Sequence, residues 1–240
     1  MLNGYKNGII TEERLQDALE RILGFKATLG LHKAQKDGSI FRTEEDLKVI
    51  GCEDHIERAK QAVDKGITLV KNTLDQLPIR PETHKRIRLY YLEGEKGGLL
   101  GDSDSLQTIV KELESRGFEV TVNDGNTRVK GPTLKYREEV DAALVFSNVV
   151  GYGAENNYRI KWKMAMSNEV PWYVHEVPTV FVSLNYTTHL TDVPMVKCYI
   201  NAYKDTEITI KAVIDKIMGE SEFHGTPNDL VWCNKWDTRL

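Results

Sequence analysis

The feature that most constrains this 240-residue chain is a short apolar run at 179–184 (TVFVSL), set between Pro178 and a polar loop at 185–192. A run this short and this apolar is the pattern of a strand buried on both faces, as strands are in a parallel sheet with helices on either side. Comparable runs at 67–71 (ITLVK), 87–92, 118–122 (FEVTV), 142–146 and 196–202 read as five more strands. Helical patterns alternate with them. Residues 103–116 put Leu106, Ile109, Val110 and Leu113 on one face, with Asp102 or Ser103 as cap and Gly117 as stop. A shorter helical piece covers 133–140, and a last helix opens after Asp205 or Thr206, turns Ile210, Val213, Ile214 and Ile217 inward and stops at Gly219. Parallel strands require crossovers, so the expected class is α/β: a three-layer α/β/α sandwich around a mostly parallel sheet of about six strands.

Ahead of this alternation the chain is different. Thr11 caps a helix whose first turn carries Glu12 and Glu13, where the helix dipole favours negative charge. Leu15, Ala18, Leu19, Ile22 and Leu23 then form one stripe that must face something. Gly30 is the expected stop, and 32–53 reads as a polar connector with one short helix. A second helix over 54–65 has Ile56, Ala59, Ala62 and Val63 on one side and ends at Gly66. The division expected is therefore 1–53, a helix and connector, and 54–240, the sandwich. The tail, 221–240, is irregular but holds Phe223, Trp232 and Trp236, rings large enough to pack it down.

Composition narrows the function classes. With 40% apolar and 28% charged residues, a net charge of −4 and scattered lysines and arginines, the chain is not expected to bind nucleic acid or an anionic membrane. No apolar run approaches the roughly 18 residues of a membrane helix. Cys52, Cys198 and Cys233 are far apart, which fits a reduced, cytoplasmic compartment better than a disulfide framework. No CxxC or HxxxH spacing occurs, so neither a metal nor a cofactor is expected.

Several segments are candidates for chemistry. The glycine-rich GEKGGLLGDSD at 94–104 follows a strand and opens a helix, yet it lacks GK[ST] and the GxGxxG spacing, and Asp102 and Asp104 would repel a phosphate. The acid pair Glu138 and Glu139 reads as a solvated helix surface. His175 and His189 flank the 179–184 strand, but Ser183 has no GxSxG elbow around it. Beyond the carboxyl end of that strand lie Asn185, Tyr186 and His189, where ligands bind in open α/β sheets. Asn156, Asn157, Tyr158, Arg159 and Trp162 combine amides, a guanidinium and rings, the mixture that binds sugars; the competing reading is a surface segment packed on the sheet.

These pieces, in order, resemble a known family. EERLQDALERILGFKATLGL, then ERAKQAVDKGITLVKN with Leu77 and Pro78, is similar to the passage by which family 3 glycoside hydrolases leave their catalytic barrel. The stretch PWYVHEVPTVFVSLNYTTHLTDVPMVKCYINAY, followed by a helix and GESEFHG, resembles the second domain of two-domain bacterial β-N-acetylhexosaminidases of that family, and CNKWDTRL resembles their C-terminus. The resemblance implies a (β/α)8 barrel followed by an α/β/α sandwich that closes over its active site. It also implies retaining hydrolysis through an Asp nucleophile and, in this branch, a His acid/base, both on the barrel. Other branches take a Glu of the second domain as acid/base, and no residue here matches it. Residues 12–29 would be the trailing end of the barrel, so no catalytic residue is assigned.

The reading is thus a non-catalytic C-terminal domain whose partners are the N-terminal barrel and a carbohydrate substrate. Asn157, Arg159, Asn185, Tyr186 and His189 are the expected cleft-lining or barrel-facing residues. Two other readings are a free-standing flavodoxin-like module for a small sugar or sugar acid, and a stand-alone enzyme using Asp192 and His189.

Overall fold

In a computed structural model, residues 1–93, 104–125, 133–149, 159–163 and 169–232 are described. They fall into two compact units, 1–56 and 57–240.

The first unit is helical: α1 (Leu2–Lys6), α2 (Glu12–Thr28), α3 (Leu31–Asp37), α4 (Glu44–Leu47) and the start of α5 (Glu53–Gly66). Local chemistry sets its boundaries. The Thr11 hydroxyl accepts from the Arg14 N–H at the start of α2, and Thr43 and Asp46 form a capping box on α4. The expected connector at 32–53 thus holds two short helices, and Gly30, at φ +68°, both ends α2 and starts α3. None of the residues in α1 to α4 is buried, and on α2 Ile22, Leu23 and Phe25 are more than half exposed.

The second unit is built on β1 (Thr68–Asn72), β2 (Arg86–Glu93), β3 (Glu119–Val122), β4 (Ala142–Asn148), β5 (Thr179–Ser183) and β6 (Cys198–Asn201). They form one sheet in the order β1-β6-β5-β4-β2-β3. Every neighbouring pair is parallel except β1 with β6. All six expected strands are present, and the 179–184 run lies inside the sheet between β4 and β6, with every residue of β5 buried. The chain runs from β2 outward to β3, then returns across β2 to β4. The carboxyl ends of β2 and β4 therefore flank the switch point, the usual place for a ligand crevice in such sheets.

The two faces are covered differently. On one, α6 (Ser105–Ser115), α8 (Glu207–Met218) and Val63 of α5 pack on alternate residues of the strands, including Leu89, Leu144, Phe146, Val182 and Ile200. Each fully buried aliphatic side chain of this kind contributes on the order of 1.5 to 3 kcal/mol. Thr206 accepts from the Thr209 N–H to start α8, and Gly219 at φ +76° ends it. Lys216 of α8 is fully buried, and its ammonium donates to Ser221 and the Glu222 carbonyl and lies 2.9 Å from Asp64.

The opposite face is covered by α7 (Leu134–Glu139), 3-10 turns at Trp172–His175 and His189–Thr191, and extended segments. Its core is aromatic: Tyr90 stacks on Tyr173 at 4.2 Å, and Phe181 on Tyr199 at 5.3 Å. Trp162 packs against this core, which favours the packing reading of that residue.

Three expectations change. Gly66 is the last helical residue of α5 rather than the residue beyond it. The N-cap of α6 is Asp104, without a side-chain cap bond, while Asp102 and Ser103 lie outside the described residues. β4 runs two residues past Phe146. The start of the tail packs down, with Phe223 joining the helical-face core and Gly225 so close to β1 that a Cβ there would sit 2.3 Å from the Thr68 hydroxyl, whereas Leu230 is exposed and Trp236 lies outside the described residues.

Candidate functional site

At the carboxyl edge of the sheet, strand alternation sends polar residues to both faces, and each side forms its own cluster. On the helical face the centre is Asn148, the last residue of β4. Its amide N–H group donates to the Tyr91 hydroxyl at 2.9 Å and to Asp205 at 3.1 Å. Its carbonyl oxygen accepts from Asn185 in the loop after β5. Asp205 also accepts from Ser105, at the first turn of α6, and pairs with Lys204 at 3.1 Å. One carboxamide thus ties the loop after β5 to the starts of α6 and α8.

On the aromatic face the centre is His189, fully buried in the 3-10 turn His189–Thr191. Ser183 donates its hydroxyl proton to the Tyr186 carbonyl at 2.6 Å. Its oxygen lies 2.9 Å from His189 Nδ1, so that nitrogen must carry the proton and donate. Ser147 stands 3.3 Å from the same nitrogen, and the Tyr186 ring lies edge-on to the imidazole at 5.8 Å.

This chemistry is that of a brace. A serine nucleophile needs a base to take its proton, whereas Ser183 spends its proton on a backbone carbonyl and accepts from the imidazole. Asp192 does not pair with His189: one oxygen accepts from Arg159 and the other from the Ile160 N–H at 3.0 Å. The Asp192–His189 reading of a stand-alone enzyme therefore lacks its dyad. Among the described residues no three His, Cys, Asp or Glu side chains cluster as metal ligands, and no helix is long and apolar enough to cross a membrane. Cys52 and Cys198 are free thiols, and burial pushes that of Cys198 up to about 12.

Of the five residues singled out from the sequence, four are described. Asn185, Tyr186 and His189 share one loop, and the Arg159–Asp192 pair brings Arg159 to its far end. His189 is enclosed by this chain, so its reach outward is through Tyr186, while Arg159 is largely exposed. Asn157 lies outside the described residues, as do Asn156, Tyr158, Cys233 and most of the glycine-rich 94–104 segment. Sequence reasoning missed Asn148 and Asp205, the two residues that join the site to the sheet. The available signal was the pair Ser147-Asn148 at the end of an otherwise apolar strand.

The likeness to known proteins agrees with this architecture. No family model matches the chain. A β-N-acetylglucosaminidase/β-glucosidase of Cellulomonas fimi is 34% identical over 245 aligned positions, taking in 100% of this chain and 43% of that protein. Two structures of the β-glucoside phosphorylase BglX, one bound to 2FGlc, superimpose with TM-scores of 0.73 and 0.75 at 32% identity, over 94% of this chain and 40% of theirs. A glycoside hydrolase family 3 β-N-acetylglucosaminidase from Paenibacillus sp. str. FPU-7 shares the fold at a TM-score of 0.58 and 17% identity, over 94% of this chain and 41% of that one. The chain thus spans less than half the length of the relatives it matches. Along its whole length in sequence and by fold, the chain is similar to the C-terminal part of glycoside hydrolase family 3 enzymes.

Proposed function

We propose that this chain is the non-catalytic wall of a glycosidase cleft: the domain that closes over an N-terminal barrel carrying the nucleophile and the acid/base. The observation that carries the reading is the chemistry of the strand-end loop. Its serine and histidine hold each other and the Tyr186 carbonyl, while Asn185 and Tyr186 are partly exposed and Arg159 is largely exposed. Such groups orient a sugar or meet a facing domain, but they activate no nucleophile. The bond broken by the intact enzyme is the β-glycosidic bond of a β-N-acetylglucosaminide, in keeping with the Cellulomonas fimi relative, whose name also carries β-glucosidase.

A chimera tests this. The chain replaces the matching part of the Cellulomonas fimi protein, and turnover of aryl β-N-acetylglucosaminide and aryl β-glucoside is measured with and without inorganic phosphate. Tyr186→Ala and Asn185→Ala in the chimera are expected to raise KM about tenfold, as loss of one or two hydrogen bonds or a ring contact would. If both variants match the parent chimera in kcat and KM, these residues do not line the cleft.

A further inference from the structure

A second polar region lies on the aromatic face, away from the strand-end loop, and its composition is unusual. Arg88 of β2 is only partly exposed, and its Nε is buried without a hydrogen-bond partner. Among the described residues the Arg88 side chain makes no hydrogen bond or ion pair, although its charge acts on Tyr90 and Tyr136. Those two hydroxyls are 3.0 Å apart, so one proton joins them and the other is left over. Trp172 meets Tyr136 edge-on at 5.0 Å, and its indole N–H is likewise buried and unpaired. Asn123 follows β3 beside this cluster, its N–H on the Leu89 carbonyl, and its buried side-chain N–H group has no partner.

All of these loose ends are donors: a guanidinium N–H, an indole N–H, an amide N–H and a phenol O–H. Buried polar groups in folded proteins are almost always paired, and an uncompensated guanidinium is costlier than a neutral group. Several unpaired donors around one charge call for an oxygen-rich anion. Glu169, buried on this face, is already engaged by the Lys163 N–H at 3.0 Å and its ammonium at 3.8 Å, and Asp192 by Arg159 and the Ile160 N–H. Tyr136 and Trp172 are each partly exposed at the edge of this cluster, and Thr121, which pairs with Arg88 in register, is exposed.

We propose that Arg88, Trp172, Asn123 and the Tyr90–Tyr136 pair bind a small ring-bearing carboxylate, the carboxylate on Arg88 and the indole N–H, the ring against Tyr136 and Trp172. This site is independent of the cleft-wall reading and stands or falls without it.

The test uses the full chain. Glucuronate, benzoate, N-acetylglucosamine and inorganic phosphate are titrated separately, following heat and the indole N–H resonance of Trp172, which is assigned by its loss in Trp172→Phe. At least one of the two carboxylates is expected to move that resonance, and to bind at least tenfold more weakly to Arg88→Gln. Glucuronate binding identifies a sugar acid, and benzoate binding an aromatic acid. In the absence of ligand, Arg88→Gln is expected to leave Tm unchanged or raise it, because an unpaired charge is removed. The proposal is overturned if neither carboxylate moves the resonance, if phosphate or N-acetylglucosamine binds as tightly as the better carboxylate, or if Arg88→Gln lowers Tm by several degrees.

Discussion

The two faces of the sheet bury comparable stretches of the same strands by different means. The helical face is mostly aliphatic, closed by α6 and α8, and even Lys216, fully buried there, is satisfied by Asp64, Ser221 and the Glu222 carbonyl. The aromatic face is closed by a six-residue helix and 3-10 turns, is filled by rings with polar tips, and holds the unpaired donors around Arg88. Regular helices satisfy their own backbone and present a continuous apolar stripe, so a face they cover is free to be dry. Short turns leave the side chains to do more of the closing, and polar tips come with them. The lesson is that the face closed by regular helices is packed mainly by aliphatic side chains, while the face closed by short turns is packed by rings whose polar surroundings include unpaired donors.

The strongest way to break this contrast is a core truncation on the helical face. Ile214 is fully buried beneath the sheet, and Ile214→Ala is expected to cost about 3 to 4 kcal/mol. Denaturant unfolding checks this; a loss below about 1 kcal/mol would mean that the aliphatic packing of the helical face contributes little.

A smaller effect concerns acid. The hydrogen bond from Lys216, then that from Ser221, holds the Asp64 carboxyl below its usual value of 3.8. A depressed folded-state pKa contributes stability that is complete above the unfolded value and is lost as pH falls through the folded one. Stability should therefore decline below about pH 4, and Asp64→Asn should flatten that decline while lowering stability at neutral pH. Thermal melts across pH 2 to 7, read against the parent chain, would show an unchanged acid limb if the pair were inconsequential.

The smallest effect belongs to the aromatic face. Tyr173 is fully buried, stacks on Tyr90 and donates to the Glu169 carbonyl at 3.2 Å. Tyr173→Phe keeps the stack and removes one hydrogen bond, a change of about 1 kcal/mol. A loss as large as that of Ile214→Ala would erase the distinction between the faces.

Legibility from sequence followed the same divide. The strands were readable because most are short apolar runs and the FEVTV of β3 alternates, and α2, α6 and α8 because their stripes are framed by Thr11, Gly117, Thr206 and Gly219. The cover of the aromatic face was not, because a 3-10 turn such as Trp172–His175 is too short to show a period. The loop holding Asn185, Tyr186 and His189 was found from the strand that precedes it, but the inward turn of His189 was not, since burial of a loop histidine depends on Ser147 from a distant strand. Asn148 and Asp205 read as ordinary loop residues until the sheet brings β4 and the start of α8 together. Arg88 is the plainest case: in sequence it is a charged residue in a strand, and only the fold shows that its side chain lacks a partner among the described residues.

The central claim, that this chain shapes a cleft without doing chemistry in it, is most directly tested by incubating the purified chain alone with an aryl β-N-acetylglucosaminide. No turnover above the uncatalysed rate is the result expected, with or without inorganic phosphate. Turnover that survives repurification and is abolished by His189→Ala would contradict the account and make the buried Ser183–His189 pair a catalytic one.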